Sequence, residues 1–245
     1  MKQLIKLTYT ELKMQTREPM TIIFTIAFPV FLMVVFGAIF GNDSEEYLSG
    51  YGQIDLSIPG YFGMIIGTVG MLGIPMNLAN YRENGVLRRL ATTPVRTGAI
   101  LWSHVATQAL LGLLGMILLL VAGFALFDVR IPTRALSIVP AVIAGACSFF
   151  AIGFVLAGIM PTARAAQAVG MALFYPMLFL SGAAMPRFIM PDSIRRIADA
   201  LPLTHVVKLI EDLWLFGTLN IVSLSVVLGV LVFGVVVSRY TFRFE

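Results

Sequence analysis

The chain of 245 residues is 58% hydrophobic and only 12% charged, whereas a soluble domain carries roughly 25% charged residues. Water is therefore not its main solvent, and a single cysteine, Cys147, excludes a disulfide framework or a thiolate metal cluster within the chain. The net charge of +4 does not indicate nucleic acid, because the basic residues lie between long apolar runs, where they suit a membrane surface.

The first 18 residues predict an amphipathic helix in the cytoplasmic headgroup layer. Its basic side chains share one face, opposite Leu4, Ile5 and Leu12, and would turn toward anionic lipid, so membrane lipid is an expected partner. A solvated basic tail is the alternative, but it leaves the apolar stripe unexplained. Pro19 is expected to end the helix. The basic residues of this interfacial helix are Lys2, Lys6, Lys13 and Arg17.

Six intervals without Asp, Glu, Lys or Arg follow, and each holds about 20 apolar residues, enough for a helix to cross the bilayer. Barrel strands would be half as long and would alternate apolar with polar residues. The first interval is too long for a cleaved signal peptide and is expected to stay. The predicted spans are 22–41, 58–80, 99–127, 135–160, 166–185 and 218–238.

The distribution of Lys and Arg predicts that both termini lie in the cytoplasm. With this orientation most basic residues fall inside, and the first outer loop, with Asp43, Glu45, Glu46 and Asp55, has none.

The cytoplasmic segment between the second and third spans predicts a short helix that docks on a soluble partner. Leu87 and Leu90 lie on one side, Arg88 and Arg89 lie beside them, and Pro94 closes the segment. Such a helix offers apolar anchors for affinity and charges for register. A solvated loop would explain the arginines, but neither Glu83 nor the leucine spacing.

Residues 186–216, before the last span, are too polar to cross a membrane. Two short apolar stripes at helical spacing, separated by Pro202, predict a pair of short helices at or dipping into the outer leaflet. This pair would lid an outward exit. The residues assigned to this outer gate are Pro191, Pro202, Leu203, Thr204 and His205.

The run Arg82-Glu83-x-Gly85-x-Leu87-x-x-Leu90-x-x-Thr93-Pro94 resembles the coupling loop of type-two permeases of ATP-binding-cassette exporters. The outer region of that family is similar to Ser181-Gly182, Met185-Pro186, Met190-Pro191 and Pro202-Leu203-Thr204-His205. The resemblance covers nearly the whole chain in order. It implies an all-α integral membrane protein with an N-terminal interfacial helix, six transmembrane helices, a short outer re-entrant helix pair and cytoplasmic termini.

The same resemblance implies a permease of the drug, antibiotic or lipid branch in a bacterial or archaeal cell membrane. It would pair with a second copy or a paralogue and with a separate ATP-binding subunit that holds ATP and Mg. The chain has no P-loop motif, so it is expected to bind no cofactor and to have no catalytic or metal site of its own. The residues implied to couple to the ATPase are Arg82, Glu83, Gly85, Leu87, Arg88, Arg89, Leu90, Thr93 and Pro94.

Alternative functions remain open. A polysaccharide or glycolipid exporter of the same architecture is the first. An ion-coupled carrier usually keeps ionisable residues inside its spans, and His104 is interpreted as a packing or interfacial residue because no carboxylate lies near it in the sequence. An intramembrane enzyme would need a clustered set of reactive groups, whereas Cys147, Ser148 and Ser181 are isolated. Uncharged spans favour a hydrophobic or amphipathic cargo.

Overall fold

A computed structural model describes residues 2–15, 22–43, 50–85, 97–132, 135–184 and 190–241. Within these ranges the chain is helical, without strands, and six helices are long and apolar enough to cross a membrane, which confirms the predicted all-α fold. The helices are α1 (Lys2–Gln15), α2 (Ile23–Phe40), α3 (Gln53–Glu83), α4 (Thr97–Phe127), α5 (Ala135–Ile159), α6 (Ala163–Leu180), α7 (Asp192–Ala198), α8 (Pro202–Leu215) and α9 (Ile221–Thr241).

Three membrane helices, α3, α6 and α9, extend beyond the charge-free intervals. The helix α3 has 31 residues, which corresponds to about 46 Å at 1.5 Å per residue, well over a hydrocarbon core of about 30 Å. Its terminal turns therefore contain Asp55, Arg82 and Glu83, and the first turn of α6 contains Arg164. The expectation that no Asp, Glu, Lys or Arg lies within a span thus holds for the interior of these helices but not for their ends.

In each of α2 and α3, a π turn ends two residues before a proline. The turn Ile23–Ala27 precedes Pro29, and the turn Val69–Gly73 precedes Pro75. Proline has no backbone N–H and its ring crowds the carbonyl four residues earlier, and a wider turn accommodates it without ending the helix. Both helices consequently continue across these prolines.

The helix α3 forms the centre of the bundle. In its most apolar window 78% of residues are buried, against at most 44% in the other membrane helices. Small residues allow this close packing: a methyl group at Gly63 would lie 2.5 Å from Val207 of α8, and one at Gly70 would lie 2.7 Å from Phe149 of α5. The glycines of α3 therefore serve as contact points for its neighbours.

A buried polar cluster fixes the end of the bundle where α2 ends, α3 begins and α4 ends. Asp55 is fully buried and accepts hydrogen bonds from the backbone N–H of Gly52 (3.0 Å) and of Arg130 (2.9 Å). The amide of Asn42 accepts from Asp55 N (3.1 Å) and donates to the carbonyl of Phe127 (2.9 Å). We call this end, which also carries α7 and the end of α8, the hairpin end, and the opposite end, which carries α1 and Arg82, the α1 end.

The pair α7 and α8 occupies the region for which two short helices were predicted. Leu203, Val207 and Ile210 of α8 are buried, and Trp214 packs edge to face on Phe62 of α3 with ring centroids 6.0 Å apart. Because α8 buries most of its side chains among α3, α5 and α9, it is an integral part of the bundle. Trp214 is buried among its neighbours.

Candidate coupling site

The helix α3 ends where the sequence places Asn84-Gly85. The backbone N–H of Asn84 still donates to the carbonyl of Asn80 (3.0 Å), and Gly85 N donates to the carbonyl of Arg82 (3.1 Å). Gly85 has φ +65°, the left-handed conformation that commonly follows the last turn of a helix and that glycine adopts without strain. The segment 86–96, which holds most of the predicted coupling residues, starts directly from this cap.

Arg82 and Glu83 bind the turn between α5 and α6. The Nη2 group of Arg82 donates to the carbonyl of Ala157 (3.0 Å) and to that of Met160, at the C-terminus of α5. The Oε2 atom of Glu83 accepts from the N–H of Ala163 (3.0 Å), the first residue of α6. Each charge thus meets the end of a helix dipole that it stabilises. The two residues therefore link α3 to α5 and to α6 by hydrogen bonds.

The first turn of α6 has a second acceptor for its free N–H groups. Thr162 has extended backbone angles, and its hydroxyl accepts from the N–H of Ala165 (3.2 Å), as expected of a threonine at an N-cap. With Glu83 on Ala163, the start of α6 is fixed both by its own cap and by α3.

At the same end, α1 packs on α4 through polar side chains. The carboxylate of Glu11 is buried and lies 2.8 Å from Ser103 Oγ, 3.4 Å from Thr107 Oγ1 and 3.2 Å from His104 Nδ1. Burial raises the pKa of Glu11 to about 7, although the hydrogen bonds from Ser103 and Thr107 act in the opposite direction. Burial therefore favours the protonated form of Glu11 over a wider pH range than for an exposed glutamate.

The buried face of α1 is partly polar. Glu11 and Gln15 are buried and Leu12 is half-buried, whereas Ile5, Tyr9 and Met14 are exposed. Lys6 and Lys13 are exposed as well. The side chain of Lys2 and the whole of Arg17 lie outside the described residues.

His104 contacts both Glu11 of α1 and Tyr81 of α3. Its ring lies 4.6 Å from that of Tyr81, centroid to centroid and edge to face, and Tyr81 directly precedes Arg82. No carboxylate lies near His104 in the sequence, but the fold brings Glu11 to it from α1. A continuous set of contacts therefore runs from α1 through α4 and α3 to α5 and α6.

The remaining predicted coupling residues lie outside the described part of the chain. Arg82, Glu83 and Gly85 are placed as above, so the fold shows the base of the predicted loop. The coupling residues that are not described are Leu87, Arg88, Arg89, Leu90, Thr93 and Pro94.

The predicted outer-gate residues lie where α7, α8 and α9 meet, and hydrogen bonds join the three helices there. The Nε2 group of His205 donates to the carbonyl of Asp199 (2.9 Å), which leaves Nδ1 to accept from Ser223 Oγ of α9 (3.4 Å). Thr204 Oγ1 donates to the carbonyl of Ala198 (2.6 Å). Pro202 opens α8, Leu203 is fully buried in it, and Pro191 precedes α7.

The chemistry available at these sites is that of hydrogen bonding and packing. Among the described residues no group of three or more His, Cys, Asp and Glu side chains is close enough to hold a metal ion. Glu11 and His104 form a pair, and their other neighbours are hydroxyl groups. The arrangement is suited to transmit movement between helices.

Comparison with known proteins shows the family of the chain. A protein of Cyanophora paradoxa named "Putative transport permease ycf38" is 28% identical over 240 residues, which covers 88% of this chain and 76% of the relative. The family model described as ABC-2 type transporter matches residues 2–215. This range includes α1, Arg82 and Glu83 of α3, and α8. The chain therefore belongs to the ABC-2 type transporter family.

Proposed function

We propose that this chain is the membrane subunit of an exporter that moves hydrophobic or amphipathic compounds out of the cytoplasm, powered by a separate ATPase subunit. Family membership establishes a transmembrane transport subunit of a kind that normally works with an ATP-binding partner. The observation that carries the coupling part of the proposal is the position of Arg82 and Glu83. They lie at the base of the segment 86–96 and bind the ends of α5 and α6.

These contacts support a specific route for the movement. When the ATPase closes on ATP, it displaces the segment 86–96 and with it the last turn of α3. Arg82 and Glu83 carry this displacement to α5 and α6, and the contact of Tyr81 with His104 carries it to α4 and α1. Packed helices with charge-assisted hydrogen bonds are stiff enough to move together.

The distribution of charge supports an uncharged or amphipathic cargo. In the described parts of the six membrane helices, Asp, Glu, Lys and Arg lie only in terminal turns, whereas ion-coupled carriers keep such residues near mid-depth. A polysaccharide would need polar side chains along its route, and the most apolar windows of the helices have mean hydropathies of 1.3 to 2.7.

The orientation and the assembly belong to the same proposal. The excess of Lys and Arg at the α1 end favours a cytoplasmic location for that end and for both termini. Only 22% of residues in the apolar windows of α2 and α6 are buried. These exposed faces leave room for a second permease copy or a paralogue beside lipid.

The test is ATP-dependent transport by the purified complex in lipid vesicles. The chain and its ATPase subunit are reconstituted, and a panel of uncharged and amphipathic fluorescent compounds is supplied on the ATPase side. We expect uptake of at least one compound that requires ATP and saturates with concentration, and no uptake by vesicles that contain the chain alone. Uptake driven by a proton gradient without ATP would contradict the proposal.

A further inference from the structure

An apolar groove lies between α4 and α5, away from the coupling site. Its volume is about 500 Å³, within the range of small-molecule sites. The floor is formed by Phe62, Ile66 and Val69 of α3, and the walls by α4 and α5. None of its lining residues carries a charge. Its rim is open to the surface, through exposed side chains that include Leu113, Ile117, Val139 and Ile143.

Two polar groups in this lining have no partner. Gln108 is fully buried, and neither its amide oxygen nor its amide nitrogen forms a hydrogen bond. The indole N–H of Trp214 is also buried without an acceptor. Each such group destabilises a protein relative to a paired one, and buried polar groups nearly always have partners. A bound molecule would supply them.

The positions of the two groups describe the shape of that molecule. Gln108 lies about three turns into α4, near the middle of the bundle, and Trp214 lies at the last turn of α8, near the hairpin end. Gln108 also borders a smaller cavity of about 280 Å³ shared with Thr25 and Thr68. The groove thus runs from the hairpin end to Gln108, which lies between the groove and the smaller cavity.

A lipid acyl chain or a single water molecule in the groove does not satisfy both groups. A lipid acyl chain fits the apolar walls but has nothing to pair with an amide at mid-depth. Water needs two to four polar partners, and Gln108 and Trp214 stand at opposite ends of an otherwise apolar lining. A charged ligand would lose its hydration without a counter-charge.

We propose that this groove binds one uncharged amphipathic molecule, whose amide or equivalent donor and acceptor pair with Gln108 and whose apolar body extends along α3 toward Trp214. The molecule enters from the bilayer through the exposed apolar rim between α4 and α5. Its identification as the cargo before transport rests on the proposed function. The binding itself does not.

The experiment uses tryptophan fluorescence of the full chain in phosphatidylcholine vesicles without ATP. The chain has two tryptophans, so Trp102→Phe leaves Trp214 as the single reporter. The probe is 4-bromobenzanilide, an uncharged two-ring amide whose bromine quenches tryptophan at contact. We expect saturable quenching, and in the background of Gln108→Leu a dissociation constant higher by about tenfold or more, as for a lost buried hydrogen bond.

Gln167→Leu is the matched control. Gln167 is exposed and borders the smaller cavity but not the groove, so its replacement should leave the quenching curve unchanged. Gln108→Leu should keep or raise the unfolding temperature, since leucine replaces an unpaired amide by an apolar side chain of similar size. Weaker binding by that variant therefore does not report unfolding.

Two results would overturn the inference. Quenching that rises linearly with the probe and is equal in Gln108→Leu would mean that the groove holds only bilayer lipid. Saturable quenching that disappears as the protein-to-lipid ratio rises would mean that a second copy fills it. Because no ATP is present, saturable binding together with failed transport would count against the proposed function alone, and transport without binding would count against this inference alone.

Discussion

The carboxyl group of Glu11 makes the packing of α1 on α4 sensitive to pH. Its pKa rises from an ordinary value of 4.5 to about 7 because the group is buried. A group whose pKa is higher in the folded state binds more protons there than in the unfolded chain. Its contribution to stability is therefore fully present below about pH 4.5 and is lost as the pH rises through about 7.

Replacing Glu11 by glutamine should remove this contribution. The free energy of unfolding of the wild type, measured in detergent between pH 4.5 and 8, should fall with rising pH more steeply than that of Glu11→Gln. The amide cannot ionise but keeps oxygen and nitrogen atoms near Ser103 and His104.

Asp43→Asn is the control for this measurement, because Asp43 is an exposed carboxylate. Its pH profile should follow that of the wild type. If Glu11→Gln also follows the wild type across this range, Glu11 does not titrate as described.

At the scale of residues, the sequence did not reveal contacts between side chains and partners that are distant in the chain. Arg82 and Glu83 were recognised from a motif, but their partners, Ala157 and Ala163, follow from the packing of α3 against α5 and α6. The pairing of Glu11 with His104 depends on the docking of α1 on α4, which no spacing in the sequence indicates.

At the scale of elements, the glycines of α3 allow a direct test of its central position. A methyl group at Gly70 would meet the side chain and backbone of Phe149 at 2.7 to 2.9 Å. Gly70→Ala should therefore lower the free energy of unfolding by about 1–3 kcal/mol, the usual effect of overpacking. Chemical or thermal unfolding in detergent measures it.

Gly229 of α9 is the matched control, since nothing lies within 4 Å of a methyl group added there. Gly229→Ala should be neutral or should stabilise by up to about 1 kcal/mol through helix propensity. Equal effects of the two substitutions would show that α3 is not packed as described.

The interiors of the membrane helices were predictable, whereas their ends were not. Apolar length identifies the part of a helix that lies in hydrocarbon. The terminal turns of α3 extend past it, and there hydrogen bonds stabilise Asp55, Arg82 and Glu83 within the helix. The burial of Glu11 and Gln15 on α1 was missed for a related reason, because hydrophobic periodicity cannot detect packing through polar groups.

At the scale of the whole molecule, the orientation can be tested by cysteine labelling in intact cells. The single native cysteine, Cys147, is exposed and is first replaced by alanine. A membrane-impermeant maleimide should then label Ser44→Cys and should not label Thr92→Cys until the cells are opened, because the basic residues favour an internal location for the segment 86–96. The reverse pattern would invert the proposed topology.

The overall architecture follows from the sequence because charge, apolar length and proline positions all act locally. The order of an N-terminal helix, membrane helices and a short helix pair before the last of them is found as expected. The central position of α3 was not predicted, since it depends on how the helices pack. The groove between α4 and α5 was not predicted, since it depends on how far apart these two helices lie where both pack on α3.

The central claim is that Arg82 couples the ATPase to the membrane helices, and cargo-stimulated ATP hydrolysis by the purified complex tests it most directly. Arg164→Ala, an exposed arginine at the same end, serves as the control. In Arg82→Ala we expect basal hydrolysis to persist while cargo stimulation and ATP-driven transport fall at least tenfold, with Arg164→Ala unaffected. Stimulation and transport at wild-type levels in Arg82→Ala would contradict the account.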